Sequence, residues 1–290
     1  MNSISVVIPL YNKEDTICEC LDSILSQHYE KLEIIVINDG STDNSLMTIQ
    51  QYENPIIKVF TQNNQGISAA RNAGVRVSTN EWILFLDADD VLLPNSLETF
   101  GSLISLDDSY NVFCCNFLTR KDGKIQLSTD FKGGHVKNNF KDFFKGKLPM
   151  RSGSFVIRKD VFVQYPFDIN LKRYEDLAWM LIMFKYEHLF KCQQPVMIYN
   201  INAVGANNRR TRIEEDFLGH LDFKGKSFWE RGILYSLYEQ AVLEYPNAKK
   251  MYSNQLKWQI DVKLFFMLIH CKQRLNKILS SLRSLRTRFK

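Results

Sequence analysis

A chain of 290 residues, 45% hydrophobic and 24% charged, can bury a substantial core and is too apolar to remain disordered. Its six cysteines (Cys18, Cys20, Cys114, Cys115, Cys192 and Cys271) show neither a CxxC pair nor regular spacing, which argues against a zinc site or disulfide framework and for a reducing cytoplasm. The net charge of +5 belongs to the tail: residues 272–290 hold seven Lys and Arg and no acid, leaving 30 basic against 32 acidic residues over 1–271, a net of −2.

The amino terminus, MNSISVVIPLYNKED, has no basic leader with an apolar h-region. Its run ISVVIP (4–9) reads as a strand, and Ile17, Leu21, Ile24, Leu25 and His28 then recur at helical spacing. LEIIVI (32–37) is the next strand, followed by a helix after GSTDNS, a strand IIKVF (56–60), a helix over 67–77 and a strand WILFL (82–86). Strands apolar throughout and separated by helices predict a parallel sheet covered on both faces, an α/β doubly wound core. Such sheets bind ligands beyond the carboxyl ends of their strands, where this chain carries PLYN (9–12), NDGS (38–41), TQNNQG (61–66) and DADD (87–90).

The last of these poses a physical problem. Asp87, Asp89 and Asp90 follow an apolar strand and repel one another at close range, so a cation is expected among them. The alternative is a solvated turn in which Asp89 or Asp90 caps a helix beginning near Pro94.

Beyond Pro94 the spacing predicts a helix near 95–106, a hairpin of NVFCCNFLTR and IQLS through Asp122-Gly123, a helix at FKDFF, a strand SFVI (154–157) and a short helix. The segment RYEDLAWMLIMFKYEH then places Leu177, Met180, Leu181, Phe184 and His188 on one helical face, with Glu175 and Asp176 at its start, where the helix dipole favours acids. From about Asp216 the pattern is helical. Its last stripe (Leu264, Leu268, Cys271, Leu275, Ile278, Leu282, Leu285, Phe289) is basic between the apolar positions. Such a helix suits an anionic membrane surface; the alternative is packing against the domain or a second subunit, which would give a homodimer. No run approaches the roughly 20 apolar residues that span a bilayer. The expected domains are 1–215, in halves 1–95 and 96–215, and a helical extension 216–290.

Taken in order, SVVIPLYNKEDTICECLDSILSQ, LEIIVINDGSTDNS, NQGISAARNAGV and EWILFLDADD resemble the signature blocks of the family 2 glycosyltransferases. The resemblance is dense over 3–95 and thinner to about 206. It implies a GT-A, Rossmann-like, mostly parallel sheet flanked by helices. It also implies transfer of a sugar from a nucleotide diphosphate donor, with UDP favoured, to an acceptor hydroxyl, with inversion and with Mn²⁺ or Mg²⁺.

Residue by residue, the resemblance implies that Asp89 contacts the metal and that Asp87 approaches the ribose or the metal shell, with Ala88 between them in the donor-binding element. If the strand stayed extended, the i, i+2 spacing would point both carboxylates the same way. Asp39 resembles the aspartate that bonds uracil, and Pro9, Tyr11 and Asn12 match the loop lining the base and ribose pocket. Arg71 matches an arginine near the nucleotide, while Asn72 and Gly74 suit close helix packing. Asp176 is the expected base and Glu175 its neighbour or substitute.

The chain departs from the pattern at IYNINAVGANNRRT (198–211), where Asn200 stands for the usual arginine and Ala206 for a serine; Arg209 or Arg210 are candidate replacements as phosphate-facing cations. The expected acceptor is a growing surface glycan of the capsule or lipopolysaccharide type, lipid-linked or free, at the inner face of the cytoplasmic membrane. The alternatives are a nucleotide-sugar-binding scaffold without turnover and a nucleotidyltransferase, though the latter calls for a glycine-rich basic loop where this chain has PLYNKED. No recognised nucleic-acid module accompanies the basic tail, so no nucleic-acid partner is expected.

Overall fold

The structure is a computed structural model that describes residues 2–201 and 211–256. The chain divides into two compact units, Met1–Phe217 and Leu218–Lys290.

The first unit opens with β1 (Ile4–Leu10), α1 (Ile17–Leu25), β2 (Leu32–Asn38), α2 (Ser45–Gln50), β3 (Ile57–Thr61), α3 (Ile67–Val77) and β4 (Trp82–Phe85). These four strands run parallel, β1 lying between β2 and β4 with β3 outside β2. All seven residues of β1 and of β2 are buried, which is why both read as unbroken apolar runs. β3 differs from expectation: as the sheet's edge it leaves Lys58, Val59 and Phe60 exposed. Gly74 lets α3 lie close on the sheet, since a Cβ there would come within 2.3 Å of a Val7 methyl carbon. The first helix stops at Leu25, and His28, expected on its face, lies beyond it in the left-handed region and exposed.

The chain continues through β5 (Val91–Leu92), α4 (Ser96–Ile104), β6 (Val112–Lys121), β7 (Lys124–Leu127), β8 (Gly134–His135), α5 (Asn139–Phe144), β9 (Phe155–Arg158), α6 (Lys159–Gln164), α7 (Glu175–Tyr186) and β10 (Leu189–Asn200). Among the described residues the sheet has ten strands, in the order β3-β2-β1-β4-β9-β6-β10-β5, with β7 on β6 and β8 on β10. Past β4 it is mixed: β9 runs antiparallel to both β4 and β6, β10 runs parallel to β6, and β5 returns antiparallel to β10.

Helix α7 buries more than the predicted stripe. Met180, Leu181 and Phe184 are inside as expected, but so are Trp179 and Met183, while His188 is exposed. Two groups of aromatic neighbours explain the wider face. Phe184 meets Phe140 and Phe143 on one side, and Trp179 packs against Phe155, Phe162 and Phe167 on the other. The Trp179 indole donates to the Tyr165 carbonyl at 2.7 Å, so its burial leaves no polar atom unpaired. Full burial of one such ring contributes about 1.5–3 kcal/mol. That packing fixes where the start of α7 falls.

In the second unit, α8 (Phe228–Glu244) is capped by Ser227, whose hydroxyl accepts from the Glu230 N–H, and is followed by α9 (Ala248–Met251) and α10 (Ser253–Leu256). Tyr252 is buried there, donating to the Leu218 carbonyl at 2.8 Å and accepting from the Leu221 N–H at 3.1 Å. Among the described residues no helix is long and apolar enough to cross a membrane. The amphipathic stripe 264–289 and the basic run 272–290 lie outside the described residues.

Candidate active site

The carboxyl ends of β1, β2 and β4 meet the start of α7, and polar side chains collect there. After β1, Tyr11 is exposed and Asn12 adopts φ 52°, a left-handed turn that asparagine tolerates. The Asn12 carboxamide faces the β2 loop, its oxygen accepting from the Thr42 N–H at 2.8 Å. Pro9 is buried within β1 opposite Ile37. The Lys13 N–H donates to Ser45 Oγ at 2.7 Å, which aims the Lys13 side chain toward the β4 loop.

Asp39 follows β2 and is 3% exposed. Its Oδ1 accepts from Gln62 Nε2 at 2.8 Å and the Gln65 N–H at 2.9 Å, and its Oδ2 from the Gly66 N–H at 2.8 Å. The expected base-binding aspartate therefore also ties the loop before α3 to the end of β2. Gly40, at φ 73°, makes the turn that brings this about.

The Asp87–Asp90 segment does not stay extended, because β4 ends at Phe85 and the chain turns. The carboxylates consequently point to different partners. Asp87 accepts from Arg71 Nη2 at 2.7 Å, whereas Asp89 is ion-paired with Lys13. Ala88 is buried and its carbonyl accepts from Thr16 Oγ1 at 2.9 Å, anchoring the turn to the start of α1. Asp90 is not a helix cap: α4 begins at Ser96 after Asn95, and Asp90 is fully buried with Oδ1 accepting from the Asn200 N–H at 2.9 Å. Its Oδ2 is buried without a hydrogen-bond partner, and burial, reinforced by Asp87, pushes its pKa well above the usual carboxylate range. The Asn200 carboxamide donates to the Asp89 carbonyl, so the residue standing for an arginine braces this turn from β10.

Arg71, on α3, is 2% exposed and sits at the centre of the cluster. Besides Asp87 it reaches Ser152 Oγ at 3.0 Å and Glu175 Oε1 at 3.4 Å, and its guanidinium lies over the Phe167 ring at 5.2 Å. Burial opposes its charge, but Asp87 and Glu175 outweigh that and raise its pKa further. Asn72 grips the same region, donating to the Phe167 carbonyl at 2.9 Å and accepting from its N–H at 3.0 Å.

Tyr174 precedes α7 at φ 56°, an uncommon conformation for an aromatic residue, and turns the chain so that Glu175 and Asp176 open the helix at the cluster. Burial, with Asp176 adding to it and Arg71 opposing it, raises the Glu175 pKa to about 7. Asp176 is half-buried, and its Oδ1 accepts from the Leu177 N–H at 2.7 Å.

The structure brings Asp87, Arg71 and Glu175 into direct contact and sets Asp39, Asn12 and Pro9 along the adjoining strand ends. Two participants were not singled out from sequence. Lys13 lies inside a quoted block with no role assigned, and Ser152 belongs to LPMRSGS, which carries no motif signal. Arg209, Arg210 and Ala206 lie outside the described residues.

The cation expected among the aspartates is thus met in part by the protein, through Lys13 and Arg71. Among the described residues no group of three His, Cys, Asp or Glu is arranged to hold a metal. An oxygen-ligated Mg²⁺ or Mn²⁺ commonly takes one or two carboxylates and completes its shell with substrate phosphates and water. Asp89 and Asp87, each about a quarter exposed, fit that smaller protein share.

The sequence model of Glycosyl transferase family 2 matches residues 5–165. The chain is 44% identical over 194 residues to the glycosyltransferase YibD of Escherichia coli, covering 61% of this chain and 55% of that one. It thus spans about half the length of the first curated relatives it matches. It is 29% identical over 235 residues to the GalNAc(5)-diNAcBac-PP-undecaprenol beta-1,3-glucosyltransferase of Campylobacter jejuni, covering 77% of this chain and 73% of that one. In fold it is similar to residues 1–349 of Staphylococcus aureus TarS, solved with UDP-GlcNAc, at a TM-score of 0.64 and 17% identity over 90% of this chain and 77% of that one.

Proposed function

The chain belongs to the family 2 glycosyltransferases, and on that premise we propose that it moves a sugar from a UDP-sugar to an acceptor hydroxyl with inversion at the anomeric carbon. One observation carries this reading. A single buried guanidinium, Arg71, joins Asp87 at the end of β4 to Glu175 at the start of α7, so a donor-side and an acceptor-side carboxylate share one cluster.

In this reading Asp39, with Pro9, Tyr11 and Asn12 beside it, receives the nucleoside at the ends of β1 and β2. Asp89 and Asp87 would hold a Mn²⁺ or Mg²⁺ that neutralises the diphosphate as it leaves. Asp176 takes the proton of the attacking hydroxyl. Glu175, whose pKa of about 7 lets it exchange a proton near neutrality, keeps Arg71 in place and sets the charge around Asp176. Arg71 holds the two carboxylates at a fixed separation.

The UDP preference is supported by the TarS fold neighbour solved with UDP-GlcNAc, and a lipid-linked glycan acceptor by the name of the Campylobacter relative. The basic run 272–290 is proposed to hold the enzyme against an anionic leaflet at the inner membrane face, each cation contributing on the order of 1 kcal/mol. Flotation with anionic liposomes, reduced on deleting 272–290, is the expected result.

The deciding experiment measures nucleotide release from a panel of nucleotide sugars, with and without Mn²⁺, in wild type and Asp89→Asn. Metal-dependent release of one nucleotide, lost in the variant, is expected. Donor binding indifferent to metal and to the substitution, with no release, would favour a scaffold instead.

A further inference from the structure

Three cations stand near the Asp87–Asp90 turn, and they differ in what occupies them. Arg71 is taken up by Asp87, Ser152 and Glu175, and Lys13 by Asp89. Arg151, in the loop between α5 and β9, is half-buried, and among the described residues no hydrogen bond or ion pair engages its guanidinium. It lies instead over the Tyr199 ring, 4.0 Å from the centroid, with the Phe117 ring at 5.9 Å.

That stacking uses the face of the guanidinium and leaves its edge, with the N–H donors in the plane, unengaged. Its backbone is fixed: the Arg151 N–H donates to Ser154 Oγ at 2.9 Å, and the Arg151 carbonyl accepts from the Ser154 N–H at 2.9 Å. The next residue, Ser152, accepts from Arg71, and Asn200, which follows Tyr199, is bonded to Asp89 and Asp90. Arg151 thus belongs to the same mouth of the sheet. It is near enough for its charge to favour the ionised form of Asp90, yet Asp90 gives its Oδ1 to Asn200 and forms no ion pair with it.

We infer that Arg151 is a phosphate-binding residue of this site, its guanidinium oriented on Tyr199 so that the free edge receives phosphoryl oxygens. A planar fork matches two such oxygens at once, and charge-assisted bonds of this kind are about twice as strong as neutral ones. The inference rests on the glycosyltransferase reading, which supplies two sources of that chemistry. One is the diphosphate of the donor and the other is the diphosphate of a lipid-linked acceptor.

The test is calorimetric titration of the full chain, as wild type, Arg151→Met and Arg151→Lys, with UDP, uridine and farnesyl diphosphate. Thermal melts confirm that each variant folds. Arg151→Met is expected to weaken UDP by about 10- to 100-fold while uridine stays within about twofold, and Arg151→Lys to recover part of the loss. If Arg151→Met does not fold, Arg151→Lys carries the test, with several-fold weaker UDP and unchanged uridine. Loss confined to UDP assigns the donor diphosphate, and loss confined to farnesyl diphosphate assigns the acceptor lipid. Variants that bind both diphosphates as tightly as wild type overturn the inference alone. A wild type that binds neither UDP nor farnesyl diphosphate removes the functional reading on which it stands.

Discussion

The two halves of the first unit are built on different principles. Over β1 to β4 the strands are parallel, and their side chains at the strand ends are fixed by neighbours close in the same half, as Asp39 is by Gln62, Gln65 and Gly66. From β5 onward the strands are mixed in direction, and β10 carries two register shifts against β6. This second half contributes Arg151, Ser152, Glu175, Asp176 and Asn200, of which Ser152 and Glu175 meet Arg71 while Asn200 bonds Asp89 and Asp90 directly. Donor-side geometry here is a property of a regular sheet, whereas the charges that complete the site depend on long-range packing.

The strongest way to break that arrangement is to remove its joint. Arg71→Met leaves Asp87 and Glu175 without their shared buried cation, and a loss of about 3–5 kcal/mol is expected. Thermal unfolding should show it as a drop of more than about 6 °C, together with loss of transfer. An unchanged melting temperature would mean that the halves are not joined there.

Asp176→Asn separates the halves functionally instead. A fall of about 10²- to 10⁴-fold in kcat is expected, with nucleotide binding and melting temperature largely preserved, because among the described residues the Asp176 side chain hydrogen-bonds its own helix start. Weakened nucleotide binding of the same size would assign Asp176 to the donor half.

Glu175→Gln tests the second half through pH. The folded-state pKa of Glu175, about 7, lies above its ordinary value, so the folded chain holds this proton more tightly than the unfolded one. Its stabilising contribution is complete below about pH 4.3 and is lost as pH rises toward 7. Relative to Glu175→Gln, wild type should lose on the order of 3 kcal/mol across that window, read as the difference between two pH-stability curves. Parallel curves would show that burial does not perturb this group.

The smallest effect is expected at the brace from β10. Asn200→Ala removes the bond to the Asp89 carbonyl while leaving the backbone bond to Asp90, and costs about 1 kcal/mol. Melting by scanning calorimetry should fall by about 2–4 °C, with a few-fold loss in kcat. A larger loss in kcat with no thermal change would make the brace a matter of alignment only.

How much of this was legible in sequence follows from the same contrast. β1 and β2 announce themselves because every residue in them is buried, and α3 was read at its observed ends. β10 did not announce itself. Its burial is irregular, with Gln193 and Gln194 exposed before the buried run 196–198, Pro195 sits between two register shifts, and Lys191 is buried with its ammonium paired to Asp142 at 2.7 Å and donating to the Lys147 carbonyl at 3.1 Å. At the site, the chemistry of Asp87, Asp89 and Glu175 was visible as residue type and spacing. Their partners were not, since Lys13 meets Asp89 and Arg71 meets Glu175 across long stretches of chain that only folding brings together. The i, i+2 rule failed at Asp87 and Asp89 because β4 ends before them. The stripe rule failed at Trp179 because α7 is packed on two sides.

The short pairing of β5 with β10 has a consequence for recombining this chain with its relatives. A crossover near residue 95 looks natural, since it separates the parallel half from the mixed one. Yet Val91 and Leu92 lie on the early side of that cut and pair with Ile198 and Met197 on the late side, while β9, from the late side, lies between β4 and β6. A chimera joined there would inherit its outermost ladder from two parents. The workable seam follows the sheet's neighbours rather than the order of the chain.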